Sequence, residues 1–213
     1  MNRRFNFKFL AYLVLATMIS SAHADKLVDF FRAVQLDDAR TVQRLLDEGL
    51  DPNSLNEKGQ PGLFVAMRDE AARVAAALLA HPKISVDLAN ASNETPLMMA
   101  ALRGQVVLAE QLMARGAAVN RPGWTPLHYA ATGPHTPMVA LLLQRGAAIE
   151  ALSPNRSTPL MMASRFGPES SVDLLLARGA SLQARNDIGM AAADFANSAG
   201  RESLARRLGD TPR

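Results

Sequence analysis

A period of about 33 residues constrains this chain more than any other feature of its sequence. Three segments are nearly alike: Thr95-Pro96-Leu97-Met98-Met99-Ala100, Thr125-Pro126-Leu127-His128-Tyr129-Ala130 and Thr158-Pro159-Leu160-Met161-Met162-Ala163. Each is followed, sixteen residues after its alanine, by a glycine in an Arg-Gly-Ala context: Gly116, Gly146 and Gly179. Weaker copies lie at Leu63-Phe64-Val65-Ala66 and Ala193-Asp194-Phe195-Ala196, and Ala33 with Gly49 opens the series. The anchoring alanines, Ala33, Ala66, Ala100, Ala130, Ala163 and Ala196, step by 33, 34, 30, 33 and 33 residues. Six units therefore account for residues 25–208.

Within a unit the residue types predict two antiparallel helices and a loop. Thr at an N-cap accepts from an orphan backbone N–H, and Pro at the first helical position loses nothing, because its missing donor would be unpaired anyway. Helix A is thus expected to start at Thr95, Thr125 and Thr158, and to stop near Gly104, Gly167 and Gly200, where a left-handed residue can turn the chain back. Helix B carries apolar side chains nine, twelve and thirteen residues after each anchor, as in Val139, Leu142 and Leu143. Those spacings put each set on one helical face.

A pair of helices this short cannot bury enough surface to offset the chain entropy it loses, so the units must stack into one continuous core. The end units show how that core stops. Eleven residues after the anchor stand Leu141 and Leu174 in interior units, but Arg44 in the first unit and Arg207 in the last. A terminal unit has one face in water, and an arginine suits that face.

The segment before the repeats reads as an address. Arg3, Arg4 and Lys8 form a positive n-region, Phe9 to Ile19 an apolar run, and Ala22-His23-Ala24 a small-x-small site, which together predict a secretory signal peptide cleaved after Ala24. A membrane-crossing helix needs roughly 20 apolar residues, about twice this run. The Arg3-Arg4 pair suggests a twin-arginine signal, but Asn2 precedes it and the expected Phe is displaced to Phe7, so ordinary secretory export is predicted. The mature chain would be periplasmic or secreted, without a membrane span, and is predicted to be a monomer.

Removing residues 1–24 also removes the apparent basicity. Lys+Arg falls from 23 to 20, against 20 Asp+Glu, so the mature chain is formally neutral and offers no general electrostatic case for nucleic acid. The chain has no cysteine, which excludes disulfides, thiolate metal sites, a cysteine nucleophile and a lipidated cysteine.

Catalytic patterns are missing too. There is no Gly-x-Ser-x-Gly elbow, phosphate-cradling loop or His-Glu-x-x-His, and no cofactor motif. His81 and His135 lie in different units without a second ligand at metal spacing. The paired acids Asp37-Asp38, Asp47-Glu48 and Asp69-Glu70 diverge by about 100° around a helix, as solvated charges do. Met98-Met99 and Met161-Met162 could suggest a soft copper(I) site, but they fall at core-facing helix A positions of different units, where methionine fills gaps.

The Thr-Pro-Leu-His of residues 125–128, the repeated Leu-Leu and the Gly-Ala closing each helix B resemble the ankyrin repeat, over roughly residues 25–208. The resemblance implies an all-α solenoid of about six helix-turn-helix units with β-hairpin fingers, and a family that binds proteins through the fingers and the concave helix A face. It gives His128 a structural role, tying one loop to the next. With the leader, the chain is similar to small exported ankyrin-repeat proteins of bacteria.

Three departures stand out. Helix B of the second unit ends at His81-Pro82 where a Gly belongs, so the finger after it should have a different base; three residues are missing between Gly116 and Thr125, so one finger should be short; and the last unit ends without a closing Gly in the polar tail Gly209 to Arg213.

The function expected on this basis is an exported interaction module that binds, inhibits or protects a partner protein. A structural part of an envelope assembly, or an enzyme or metal carrier on a solenoid frame, are the alternatives, and the last lacks any convergent nucleophile, base and oxyanion donor. On the concave side the frame places Glu57, Lys58, Gln60, Arg68, Asp69, Glu94, Leu102, Arg103, Trp124, Thr132, Arg165 and Phe166. Trp124 and Phe166 supply rigid apolar area and the arginines multi-donor contacts, both favoured at hot spots.

Overall fold

The computed structural model describes residues 24–209. The expected leader up to His23, and residues 210–213 of the polar tail, lie outside the described residues. Among the described residues there are twelve helices: α1 (24–35), α2 (Ala39–Asp47), α3 (Gly62–Arg68), α4 (Ala72–Ala80), α5 (Pro96–Arg103), α6 (Val106–Ala114), α7 (Pro126–Thr132), α8 (Thr136–Gln144), α9 (Pro159–Phe166), α10 (Glu169–Ala177), α11 (Ala192–Ser198) and α12 (Glu202–Gly209). They pair into six units. Each odd-numbered helix from α3 onward packs on the next odd-numbered one, and α2 to α10 pack likewise, giving two layers of stacked helices.

All six anchor alanines are buried, as are Val42, Leu45, Leu46, Ala75, Leu78, Leu79, Val139, Leu142, Val172, Leu175 and Leu208. One continuous core results. At the first cap the ring of Phe30 lies where α3 begins with Gly62; a Cβ there would stand 2.7 Å from two ring atoms. Arg44 is exposed and pairs with Glu48 at 2.7 Å, whereas Arg207 reaches back to Asp173 at 2.7 Å and Glu169 at 3.3 Å in the preceding unit. The last arginine therefore fastens its unit as well as facing water.

From unit 3 onward each helix A begins with the same small problem, a backbone N–H at the N-cap with no helical acceptor. Three positions on, the side chain of unit 4 is His128, whose Nδ1 accepts from the Thr125 N–H at 3.2 Å. In units 3 and 5 the sulfurs of Met98 and Met161 take that place, each 3.4 Å from the threonine nitrogen. Asp194 does the same for Ala191 at 2.8 Å. Unit 2 can carry Phe64 there because its N-cap, Pro61, has no N–H to satisfy. The first Met of each pair therefore caps a helix besides filling the core.

The turns from helix A to helix B are only partly as expected. Gly104 and Gly200 are left-handed, with φ of 67° and 71°, but Gly167 has φ of −83° and an extended ψ. Glycine is needed at Gly167 for space: an added Cβ would lie 2.2 Å from the carbonyl oxygen of Ala131. In units 1 and 2 the left-handed position is held by Asp37 and Glu70, at φ of 52° and 60°. Asp37 has a compensating role, since its carboxylate accepts from the Val74 N–H and from Arg73 Nε, both at 2.9 Å, at the start of α4.

The missing glycine at His81 is also accounted for. The chain leaves α4 extended, and Arg115 of the next unit donates to the carbonyls of Leu79 and, at 3.3 Å, of His81. A cation thus serves the orphan carbonyls of a helix C-terminus from outside the helix.

The fingers project as tight turns with very little strand: among the described residues there is one isolated antiparallel bridge, Leu55 to Pro61. In each full-length finger a backbone bond closes five residues, Asn56 N–H to Gln60 O, Asn90 to Glu94, Ser153 to Ser157 and Asn186 to Met190, at 2.9–3.1 Å. The side chain of the first residue accepts from the N–H of the last, at 2.9 Å in each case. Three residues further back, Asn53, Asp87 and Glu150 each accept an N–H from the following unit, from Ser85, Ala118 and Ser181. Asn120 makes that same bond to Ala148 N–H at 2.8 Å, so the three-residue deletion falls after it and removes the finger base.

Candidate functional site

The last turns of the odd-numbered helices and the finger ends carry the residues expected on the concave side, and the two halves of this surface differ. In the amino-terminal half Arg68 donates to both oxygens of Asp69, at 2.7 and 2.8 Å, and to Gln60 Oε1 at 3.0 Å. The Arg68 bond is the main reason that the Asp69 carboxyl is held below its ordinary range. Arg103 donates to the Arg68 carbonyl at 3.1 Å and stands 4.0 Å from Glu70. Glu57 and Lys58 are exposed on the first finger and, with Gln60 and Arg68, border a shallow depression of about 420 Å³ beneath Phe31 and Val28 of α1.

The centre of the face is built around His128. Its Nδ1 must be unprotonated to accept the Thr125 N–H, so the proton sits on Nε2, 3.0 Å from the carbonyl oxygen of Ser157 in the next finger. Burial holds its pKa below the ordinary value. Trp124 leans edge-on against this ring, with centroids 5.3 Å apart and planes at 81°. It is half-buried against the core. Tyr129 donates to Glu94 Oε1 at 2.7 Å, and Asn90 Nδ2 to Glu94 Oε2 at 2.7 Å, so both oxygens of that carboxylate are engaged. Burial first, and then the Glu94 bond, push the phenol well above its usual pKa.

Leu102, Trp124 and Thr132, expected from the sequence, converge here with His128, Tyr129 and Met162 on a groove of about 240 Å³. The core-facing assignment holds for Met98, Met99 and Met161, which are buried, and Met162 also packs against the core but is only partly buried and lines the groove. Tyr129 and Met162 were not among the expected contact residues, although both stand four residues after their threonine. Arg165 and Phe166 lie one turn beyond Met162 on α9, exposed, with the guanidinium 5.1 Å from the centre of the Phe166 ring. Phe166 is 55 % exposed.

The twelve expected residues thus form three groups: the ion-paired set at Gln60, Arg68, Asp69 and Arg103 with Glu57 and Lys58 beside it; the groove with Glu94 at its edge; and the Arg165-Phe166 pair. Among the described residues, no group of three His, Asp or Glu side chains is placed to hold a metal ion. No described helix is long and apolar enough to cross a membrane.

Comparison with known proteins agrees with this geometry. A family model for ankyrin repeats, in three copies, matches residues 30–122 and again 108–186. Protein glp-1 of Caenorhabditis elegans is 27 % identical over 206 residues, 89 % of this chain but 16 % of that protein. A putative ankyrin repeat protein of Rickettsia felis is 33 % identical over 129 residues, 57 % of this chain and 56 % of the other. The chain therefore spans a small part of the first relative and about half of the second. Among solved structures, the chain is similar, with a TM-score of 0.73 and 25 % identity over 86 % of its length, to 98 % of a chain in the complex of the Bd0816 predatory endopeptidase from Bdellovibrio bacteriovorus with immunity protein Bd3460.

Proposed function

Because the chain belongs to the ankyrin-repeat family, whose model matches residues 30–186 in two overlapping stretches, we propose that it is an exported, monomeric binding module that holds an enzyme of the cell envelope inactive. The observation that carries this reading is the likeness to nearly the whole of a chain from an endopeptidase–immunity protein complex. The concave face supports it, with Trp124, Phe166, Arg165 and Leu102 as principal contacts and Glu57, Lys58, Gln60, Arg68, Asp69, Glu94, Arg103 and Thr132 around them. A rigid solenoid loses little order on binding, so apolar anchors on it contribute most of their burial to affinity.

The test has two arms. Protein recovered from the envelope fraction should begin at Asp25 by intact mass; recovery from the cytoplasm with its leader attached contradicts export. The recovered protein should capture an enzyme from an envelope extract and suppress its activity in a one-to-one ratio. Trp124→Ala, or Arg165→Ala combined with Phe166→Ala, should weaken capture by tenfold or more, about 1.4 kcal/mol. If those variants fold and bind like the parent while Arg178→Ala on the helix B side weakens binding, the partner uses the other surface.

A further inference from the structure

The two halves of the concave face differ in what they leave for a partner. Toward the amino terminus the charges are engaged with one another through Arg68, Asp69, Gln60 and Arg103. Around the groove the balance reverses. The carboxylate that Tyr129 of the groove meets, Glu94, already accepts from Tyr129 and Asn90. Arg121, on the finger that carries Trp124, donates only to the neutral Asn93 Oδ1, at 2.7 Å, and Arg165 rests on Phe166. Among the described residues neither Arg121 nor Arg165 forms an ion pair. Near the apolar groove, Arg165 thus stands one turn beyond Met162 on α9 and Arg121 on the finger that carries Trp124, and the protein itself matches neither charge among the described residues.

The groove is made for an apolar occupant. Leu102, the Trp124 indole and the flexible thioether of Met162 line it. The polar atoms nearby face elsewhere: the Tyr129 hydroxyl to Glu94, and the Thr132 hydroxyl to the His128 carbonyl at 2.9 Å. At about 240 Å³ it falls below the roughly 300–1,000 Å³ of small-molecule sites. One large side chain fits it better than a ligand does. Met162 and Arg165 are three residues apart on α9, so the apolar slot and the guanidinium share one helical face.

Resting on the binding reading above, we propose that the partner presents a loop carrying one large apolar residue beside one or more carboxylates, with the apolar side chain entering the groove between Trp124 and Met162 and the acids meeting Arg165 and Arg121. The aromatic and methionine walls supply the anchor, and the cations set register and speed encounter.

Trp124 is the only tryptophan in the chain, so its fluorescence reports the groove directly. The probe is a random peptide library of about twelve residues displayed on phage and panned against the purified protein, with enriched peptides synthesised and titrated by Trp124 emission. Enriched sequences should place Leu, Ile, Met or Phe within two positions of Asp or Glu, and binding should shift or quench the emission. Replacing the peptide acid by its amide and replacing Arg165→Gln should each weaken binding by about five- to tenfold, without further loss when combined. Thr132→Arg, which fills the groove, should abolish the emission change while helical circular dichroism is retained; Leu102→Glu serves if that variant unfolds. Peptides lacking acids, affinities indifferent to Arg165→Gln, or a library yielding no binder that perturbs Trp124 would overturn the proposal. The captured enzyme is a separate readout. If it binds the concave face while peptides ignore the groove, this inference fails and the proposed function stands; if peptides enter the groove and no enzyme is captured, the reverse holds.

Discussion

Replacing His128 by methionine repeats an experiment the chain has performed on itself, since Met98 and Met161 occupy the equivalent place in the units on either side. The substitution should keep the cap: a thioether sulfur can accept from Thr125 N–H as it does in those units, at 3.4 Å. What it removes is the Nε2–H donation to Ser157 O, at 3.0 Å, and the contact between the Thr125 hydroxyl and Nδ1, at 2.9 Å. That carbonyl is not orphaned, because Ser153 N–H still reaches it at 3.0 Å. The cost at pH 7.5 should therefore be that of one to two net hydrogen bonds, about 1–2 kcal/mol, and not the larger penalty of an unsatisfied buried group.

The pH dependence gives the sharper result. Burial depresses the His128 pKa below the ordinary histidine value of about 6.5, so the unfolded state takes up a proton before the folded state does. The stability associated with the neutral ring is fully present above about pH 6.5 and is lost as pH falls below it, by up to about 1.4 kcal/mol per unit. The methionine variant has no such loss. Between pH 7.5 and 5.5 the gap between parent and variant should shrink by as much as about 1.4 kcal/mol and can change sign, the other titrating groups cancelling in the difference. Urea unfolding at the two pH values, followed by Trp124 fluorescence and circular dichroism, measures it. A gap that stays the same at both, or widens in acid, would show that the imidazole is not held neutral by its surroundings.

Two further perturbations follow from the turns. Gly104→Ala and Gly116→Ala both place alanine at positive φ, 67° and 92°, for about 1–2 kcal/mol each, but only at Gly104 does the new Cβ strike a neighbour, 2.1 Å from His135 Cδ2. Thermal unfolding should show Gly104→Ala the worse by at least about 1 kcal/mol, with part recovered in a His135→Ala background; equal costs would mean that the imidazole moves aside freely. Arg115→Met should destabilise by about 1–2 kcal/mol through the carbonyls of Leu79 and His81, and amide exchange should quicken at the end of α4 first; unchanged exchange there would remove the capping role.

What the sequence made legible was whatever repeats. The anchor alanines, the Thr-Pro starts and the paired leucines recur because each unit faces the same neighbours, and their burial and caps agree with the pattern. Positions whose surroundings differ between units were harder to read. Met99 and Met162 have the same local sequence before them, yet one is 4 % exposed and the other lines a groove, because coverage is decided by the neighbouring unit and not by the helix itself. Gly167 looked like Gly104 but serves to let the Ala131 carbonyl approach, a contact made across units. Arg115 gave no local signal as a cap, since the helix it serves lies 34 residues earlier from His81 to Arg115. Carrying one more column of the repeat, the fourth residue after the threonine, would have added Tyr129 and Met162 to the expected contacts, but also Met99, which the neighbouring unit covers.

The position of the three-residue deletion separates two things that a solenoid could have coupled. Asn120 keeps the cross-unit bond that Asn53, Asp87 and Glu150 make, and the loss is confined to the stretch between it and Gly123. The helices on both sides stay in phase while one finger changes length. That stretch can therefore change length at little cost to folding, which makes this finger end the part of the chain most free to diverge as a partner changes, and the natural place to graft a new specificity.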